Sequence, residues 1–413
     1  MHGTLAPTAK RLEDYLPLVG RETIDGLKRL AKPLKGLRAL NLSVTAFGTG
    51  VAELLRSSVP LLCDLGLDCH WRVMHVDGKF ARVNKLMYRA LAGGQADWSD
   101  EMTEAWYRYT AMNAEMFRED FDVVIVHDPQ PAALRALIEK RPRPRSRWIM
   151  HSHIDLSSAQ KDVWGLVRSH IEAFDALVFE DKTFVGEGIK AASVRIIPPA
   201  IDPLGPRNME ISGKAIANIL GRYGIEGSRP LITQVAPLNR DCDALGAIEV
   251  FRLARERLPD LQLVLVATSL PEDPLAYSYF EKVTAEAAPQ PDIHILSNPD
   301  DVGNVEVNVV QRAARAVLQR SLRRGFGIWL ADALWKKTPV VAAPMGGIPQ
   351  QVIHEKTGYL ADNAGEFADR IVDVIEDATL ARRLGAAGHR HVADNFLICR
   401  YLGDYLRLLQ EAA

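Results

Sequence analysis

Three polar side chains follow an apolar stretch of the sequence at the point where it ends. In VVIVHDPQPAALRAL (123–137), the β-branched run leads directly into His127, Asp128 and Gln130. Side chains at the carboxyl end of a parallel strand lie at the edge of the sheet where doubly wound folds bind ligands. Together the three offer the mixed donors and acceptors that sugar hydroxyls need. The alternative is a helix cap, in which Asp128 and Pro129 only begin the next helix.

A second polar cluster follows the next apolar stretch, in MHSHIDLSSAQKDVW (150–164). His151 and His153 alternate there, and Asp155 comes two residues later. An alternating histidine pair could ligate a metal ion, but no third ligand follows at an informative spacing. We therefore expect a histidine that hydrogen-bonds a ligand, and no metal centre.

Two glycine turns complete the set of candidate sites. In SVTAFGTGVAELLRSSVPLL (43–62), Gly48 and Gly50 lie between a strand end and a helix that we expect to begin at Val51. Backbone N–H groups at such a helix start can approach a ligand oxygen or phosphate closely, because glycine has no Cβ. The turn could equally serve only to fit strand to helix, and the spacing alone does not decide.

The second glycine-rich segment lies in the other half of the chain. QRSLRRGFGIWLADALWKKTPVVAAPMGGIP (319–349) reads as a strand, a glycine turn, a helix, a second strand and a glycine loop. Many α/β enzymes build a site for a phosphorylated sugar with this layout. Gly325 and Gly327 would form the turn, and Gly346 and Gly347 the loop near the phosphates.

Alternating strand and helix patterns must position these residues. Short β-branched runs alternate with longer helical patterns along nearly the whole chain, which is typical of βαβ units and parallel sheets. IPPAIDPLGPRN (197–208) separates the two sets. We predict an N-terminal domain over 1–205, onto which a helix at 393–413 packs back, and a C-terminal domain over 206–392. Both would be Rossmann-like doubly wound sheets, facing each other across a cleft. The predicted strands are 37–44, 69–76, 121–128, 147–154, 176–180, 194–199, 230–236, 261–268, 293–298, 316–321 and 339–344.

Composition restricts the class of protein. The chain has 413 residues, of which 47% are hydrophobic and 25% charged, so it has the make-up of a globular protein of two domains. A formal net charge of -2 gives no reason to expect nucleic acid or an acidic membrane surface as partner. The four cysteines are not spaced as a disulfide framework or a zinc site, and neither a signal peptide nor a membrane span is evident. We expect a cytoplasmic protein.

Several of these phrases together resemble one family. FGTGVAELLRSSVPLL, HDPQPAAL, HIDLSS and PPAIDPL, followed by GFG and GGIP, are similar to the trehalose glycosyltransferring synthases. These are retaining glycosyltransferases of the GT-B architecture, related to glycogen and sucrose-phosphate synthases and to fungal trehalose phosphorylase. The likeness extends from about Arg11 to the C-terminus. The first-half phrases are specific to the trehalose branch, whereas the second-half pattern is shared across a broad superfamily.

The resemblance implies transfer of glucose from a nucleoside diphosphate glucose to free glucose, giving trehalose without a metal or cofactor. It also suggests a homodimer. The first domain would hold the acceptor and the sugar ring, and the second the nucleotide. On this basis we expect sugar binding by Gly50, Glu53, His127 and Gln130. We expect catalytic roles for His153, Asp128 and Arg324, and donor binding by Arg240, Asp332, Gly325, Gly327, Gly346 and Gly347.

The donor-site motifs depart from the family pattern. Where the family has an arginine and a lysine aimed at the diphosphate, this chain has Pro237 and Cys242. Where it has two glutamates, this chain has Arg324 and Asp332. Two hypotheses stay open: a transferase in which arginines such as Arg324 or Arg240 partly replace the missing cations, or a protein that has lost transfer and binds sugars or a partner.

Overall fold

The computed structural model describes residues 4–5, 7–46, 50–75, 77–138, 146–190, 193–267, 274–297, 302–322 and 325–412. The chain divides into two compact units, one of residues 1–200 with 398–413 and one of residues 201–397. The sequence instead places this division at 205/206 and begins the returning helix at 393. Ile201 accounts for the earlier boundary, because its N–H donates to the Phe396 carbonyl over 2.8 Å and it bridges to Leu397.

The first unit contains a seven-stranded sheet in its described residues. Its order is β1-β3-β2-β4-β5-β6-β7, and all neighbours pair in parallel except β1 with β3. The central strands are buried on both faces, so they read as continuous apolar runs in the sequence. The strands are β1 (Thr4–Leu5), β2 (Arg38–Ser43), β3 (Asp68–Val73), β4 (Val123–His127), β5 (Arg147–Ser152), β6 (Ala176–Phe179) and β7 (Val194–Ile196).

The second unit contains a six-stranded sheet in its described residues, and every neighbouring pair is parallel. Its order is β10-β9-β8-β11-β12-β13. The reversal of strand order between β8 and β11 is the topological switch point at which open α/β sheets bind ligands. The strands are β8 (Leu231–Ala236), β9 (Gln262–Ala267), β10 (Ile293–Leu296), β11 (Ala316–Gln319), β12 (Val340–Ala342) and β13 (Tyr359–Leu360).

Helices connect the parallel strands, as crossover connections require. Several begin at a side-chain cap; Ser99, for example, accepts from the Met102 N–H, and Asp243 from the Gly246 N–H. The first-unit helices are α1 (Leu16–Ala31), α2 (Gly50–Asp64), α3 (Gly78–Leu91), α4 (Asp100–Glu115), α5 (Leu134–Ile138) and α6 (Lys161–Glu172). The second-unit helices are α7 (Gly213–Arg222), α8 (Ala244–Arg255), α9 (Pro274–Ala287), α10 (Asn304–Ala313), α11 (Trp329–Trp335), α12 (Ile348–Gln351), α13 (Ala364–Glu376) and α14 (Ala378–Asn395). Short 3₁₀ turns cover Leu12–Tyr15, Lys32–Leu34, Lys182–Phe184 and Arg240–Cys242.

One helix, α15 (Ile398–Ala412), belongs to the first unit although it follows the second in sequence. Its apolar face is buried in the first-unit core beside α1 and α2. Arg400 donates to the carbonyls of Pro198 and Pro199, each over 2.8 Å, and Gln410 donates to the Leu30 carbonyl over 2.6 Å. The first unit is therefore completed by residues from the far end of the chain.

All eleven strands predicted from the sequence are present, and their bounds differ from the predicted ones by at most three residues. The prediction missed β1 and β13, which have two residues each and so give no periodic signal. None of the helices in the described part of the chain has the length and apolar character needed to cross a membrane.

Candidate functional site

In the first unit, four hydrogen-bonded side chains form a run across the neighbouring strands β2, β4, β5 and β6. His127 ends β4, and parallel pairing with β5 brings His153 beside it. The His127 Nδ1 and His153 Nε2 atoms lie 3.0 Å apart. The run continues from His127 Nε2 to Asn41 Oδ1 on β2 over 3.1 Å, and from His153 Nδ1 to Glu180 Oε1, after β6, over 2.7 Å. All four residues are buried except His153, whose side chain is 9% exposed.

The chemistry of the partners determines where the protons lie. Asn41 Oδ1 can only accept, so His127 Nε2 donates to it, and His127 Nδ1 then accepts from His153 Nε2. Burial, reinforced by the positive charge of His153, holds the pKa of His127 well below its usual value. Burial also opposes the charged form of His153, but the hydrogen bond and charge of Glu180, with the charge of Asp128, raise the His153 pKa above its usual value. His153 therefore keeps the shared proton and His127 is neutral.

Asp128 is fixed by its backbone as well as its side chain. Its φ of 68° lies in the left-handed region that non-glycine residues rarely adopt. The Asp128 N–H donates to the His151 carbonyl over 2.8 Å, and Asp128 Oδ1 accepts from the His153 N–H, also over 2.8 Å. Helix α5 begins only at Leu134, so Asp128 is not its cap. The carboxylate instead orders the start of the segment that contains His153.

The other predicted sugar-binding residues, Gln130, Gly50 and Glu53, differ in their surroundings. Gln130 is buried; its carbonyl accepts from the Trp106 indole over 2.7 Å, and its side-chain Oε1 has no hydrogen-bond partner among the described residues. Gly50 begins α2, one residue before the predicted start, and Glu53 in the first turn lies 3.6 Å from Arg56. Gly48 falls outside the described residues.

In the second unit the two predicted glycine segments are joined. The Gly347 N–H donates to the Gly325 carbonyl over 3.0 Å, and Phe326 packs directly against Gly347. Gly327 and Gly346 have φ values of 70° and 55°, which glycine adopts without strain. The side-chain amide of Gln351 donates to the Phe326 and Gly327 carbonyls. The turn and the loop therefore form one rigid element.

Asp332 lies within a buried polar network. It is 2% exposed, and its Oδ1 accepts from the Asn208 side-chain amide over 2.7 Å. Its Oδ2 lies 3.6 Å from Arg207, which stacks 3.9 Å from the Trp329 ring centroid. The Lys336 ammonium donates to Asn208 Oδ1 over 2.8 Å and to the Asp332 carbonyl over 3.0 Å. The Asp332 carboxylate is thus engaged by protein groups, although it occupies a predicted donor-binding position.

The segment after β8 contains the substituted diphosphate positions. Pro237 has no charge, and burial raises the pKa of the Cys242 thiol to about 12, so that thiol is neutral. Arg240 is exposed. Arg320 is held in position in this region by an ion pair: its Nη2 lies 3.0 Å from Asp243 Oδ2. Arg324 and Arg323 fall outside the described residues.

Sequence reasoning missed three functional candidates: Asn41, Glu180 and Arg320. Each had a usable signal, since Asn41 is the polar residue inside an apolar strand and the other two directly follow the last residues of β6 and β11. It also missed that His151 lies beside His127 and His153.

These features define the class of protein. Two Rossmann-like units, one with a buried polar run on its sheet and one with paired glycine segments, are the architecture of the GT-B glycosyltransferases. Residues 41–186 match the family model described as trehalose synthase, N-terminal domain, and residues 216–391 match glycosyl transferases group 1.

Comparison with individual proteins shows the family to which the chain belongs. The chain is 36% identical to the trehalose synthase of Thermococcus litoralis over 97% of both chains, and 38% identical to that of Rubrobacter xylanophilus over 98% of both. It belongs to the trehalose synthase family. Among solved structures, the sucrose-phosphate synthase of Thermosynechococcus elongatus superposes with a TM-score of 0.68 at 17% identity, over 91% of this chain and all (100%) of that one.

Proposed function

We propose that this member of a trehalose-related glycosyltransferase family transfers glucose from a nucleoside diphosphate glucose to free glucose, forming trehalose, with a rebuilt donor site. The observation that supports it most is the buried run from Asn41 to Glu180. Burying this many polar side chains on one sheet is costly unless each finds a partner. A protein that needed only a stable core would have apolar side chains there.

The run gives His153 a defined role in this proposal. Both of its ring nitrogens hold hydrogen bonds within the protein, so it is fixed in position and charge. A fixed cation at a partly exposed position can stabilise negative charge that develops on a leaving group or a hydroxyl. Asp128 accepts a hydrogen bond from the His153 backbone and would thereby fix the position of the His153 side chain.

The donor would bind to the second unit through backbone N–H groups more than through side-chain cations. The paired glycine segments would present such groups at Gly325, Gly327 and Gly346 to a diphosphate, while the Gly347 N–H holds the two segments together. The exposed Arg240 would add a positive charge. Such a site would bind a diphosphate more weakly than one with the family's arginine and lysine, since each charge-assisted bond contributes roughly 1.5 to 3 kcal/mol.

A second candidate is a protein that binds sugars or a partner and no longer transfers glucose. It is favoured by the engagement of Asp332 with Asn208 and Arg207, because a carboxylate held this way has less freedom to reach a ribose. The neutral Pro237 and Cys242 point in the same direction.

A product assay separates the two. Purified protein is incubated with glucose and a panel of nucleoside diphosphate glucoses, and trehalose and released nucleotide are quantified together. Equal amounts of both products establish the transferase. The variant Pro237→Arg, Cys242→Lys, Arg324→Glu is assayed in parallel, with urea unfolding to confirm that it folds. Product from this variant alone would mean that the natural chain binds without transferring.

A further inference from the structure

We propose that His127, His151 and His153 form a binding site for a zinc-type divalent cation in the first unit. One ring nitrogen from each histidine lies within 4.8 Å of one from each of the others. The sequence shows only the His151 and His153 pair, because the third ligand lies on the preceding strand. Zinc binding and the His153 cation of the proposed function exclude each other, because the ion would replace the proton that His153 Nε2 shares with His127 Nδ1.

The hydrogen bonds around the three rings are those that metal-bound histidines make. A histidine that ligates a metal through one nitrogen usually holds its other N–H on a carboxylate, a carbonyl or another oxygen, which fixes the ring and its tautomer. His153 Nδ1 is held by Glu180 Oε1 at 2.7 Å, His127 Nε2 by Asn41 Oδ1 at 3.1 Å, and His151 Nδ1 by the Tyr405 hydroxyl at 2.8 Å.

The burial of an unpaired ring nitrogen of His151 is not explained by packing within the core. His151 is fully buried at 0% exposure, and its Nε2 has no hydrogen-bond partner among the described residues. Buried polar atoms in native proteins are nearly always paired, so an unpaired ring nitrogen next to two further imidazoles indicates a missing partner. A cation would pair with it.

The present spacing is close to that of a metal site. His127 Nδ1 and His153 Nε2 are 3.0 Å apart, and two nitrogens on a tetrahedral zinc with bonds of about 2.0 to 2.1 Å would be about 3.3 Å apart. The His151 and His153 rings stack with centroids 4.1 Å apart and an interplanar angle of 27°, so one of them must rotate for both lone pairs to meet a cation. On binding, the proton shared between His127 and His153 would leave to solvent.

Ligand chemistry selects the ion. Three imidazole nitrogens suit zinc and its neighbours cobalt and nickel, whereas magnesium and calcium prefer oxygen ligands. Three histidines with an open fourth position are a known zinc arrangement, and a water or hydroxyl would complete it. His153 is the ligand nearest to solvent, with a side chain 9% exposed, and marks the side from which an ion would enter.

The test is metal titration of the full chain after purification with EDTA. All proteins contain Cys63→Ser, since Cys63 is an exposed thiol whose pKa is lowered to about 6 by its hydrogen bond to Cys69 and would compete for zinc. We expect one Zn²⁺ per chain by calorimetry and no comparable binding of Mg²⁺. His151→Gln should weaken zinc binding at least tenfold, whereas His170→Gln, a half-buried histidine of the same unit, should leave it unchanged.

A direct measurement covers the case in which His151→Gln fails to fold. X-ray absorption on the zinc-loaded parent should show imidazole nitrogens at about 2.0 to 2.1 Å. Zinc binding of equal strength in both histidine variants, an oxygen-only coordination shell, or no stoichiometric binding by the parent would each overturn the site.

Discussion

Asn208 donates a hydrogen bond from its side-chain amide to the Asp332 carboxylate over 2.7 Å, across 124 residues of sequence. Both side chains are buried, at 3% and 2% exposure. The contact ties the segment after the first unit to helix α11, and Arg207 adds a cation to the same carboxylate. Asp332 is therefore a structural anchor of the second unit, whatever further contact it makes with a ligand.

Replacing Asp332 with alanine should destabilise the second unit. The change removes the buried carboxylate that pairs with Arg207 and accepts from Asn208, and removing one member of a buried ion pair costs roughly 3 to 5 kcal/mol. Asp332→Asn should cost less, because it keeps a hydrogen-bond acceptor. Urea unfolding measures both, with the exposed Asp362→Asn as control. If Asp332→Ala unfolds at the parent's urea concentration, the anchor role is wrong.

Lys336 should make stability depend on pH. Burial lowers its pKa from 10.5 to about 7 in the folded protein, although the Asp332 charge opposes this. Between pH 7 and about 10 the unfolded chain binds this proton and the folded chain does not, so stability rises with pH across that window. The difference in free energy of unfolding between the parent and Lys336→Met should thus shift by roughly a few kcal/mol in favour of the parent from pH 7 to 10. A difference that is flat over this range would show that Lys336 keeps its proton.

The joined glycine segments offer a matched pair of substitutions. A Cβ on Gly347 would lie 2.5 Å from Phe326 Cδ2 and 3.1 Å from its Cα, whereas a Cβ on Gly325 would meet nothing within 4 Å. Gly347→Ala should therefore push the segments apart, cost about 1 to 3 kcal/mol and weaken nucleotide binding. Gly325→Ala should be nearly neutral. Thermal unfolding and calorimetry with a nucleoside diphosphate compare them, and equal behaviour of the two would contradict the contact.

Asp128 should tolerate asparagine better than alanine. Asparagine adopts the left-handed region more readily than other non-glycine residues and keeps an oxygen to accept from the His153 N–H. Alanine meets the backbone strain and leaves a buried N–H unpaired, at a cost of about 1 to 3 kcal/mol. Unfolding in urea checks the order of stability. Asp128→Ala as stable as Asp128→Asn would show that neither the strain nor the hydrogen bond matters.

The strands could be predicted because their signal is local. A run such as VVIVH indicates a buried strand without knowledge of its neighbours. His127, Asp128 and His153 could be placed at one sheet edge for the same reason, since they end or follow neighbouring parallel strands. This placement required only the order of strands and helices along the sequence.

The rest depends on contacts that sequence spacing does not encode. Nothing in the residues around Asp332 indicates that Asn208 holds it, and nothing around His151 indicates that Tyr405, 254 residues later, does so. The spacing of His151 and His153 does not indicate the cluster of three histidines, because His127 lies 26 residues before His153, on another strand. Side-chain direction decides all three, and it is fixed only by tertiary packing.

Helix α15 also determines the order in which the two units can fold during translation. Its buried face supplies part of the first-unit core, and its Tyr405 holds His151. These residues are translated after the whole second unit, which is contiguous over residues 201–397. The second unit can therefore fold during synthesis, while the first unit, made earlier, waits with apolar surface on α1 and α2 uncovered. We therefore expect the first unit, which leaves the ribosome first, to be the part of the chain that needs chaperones.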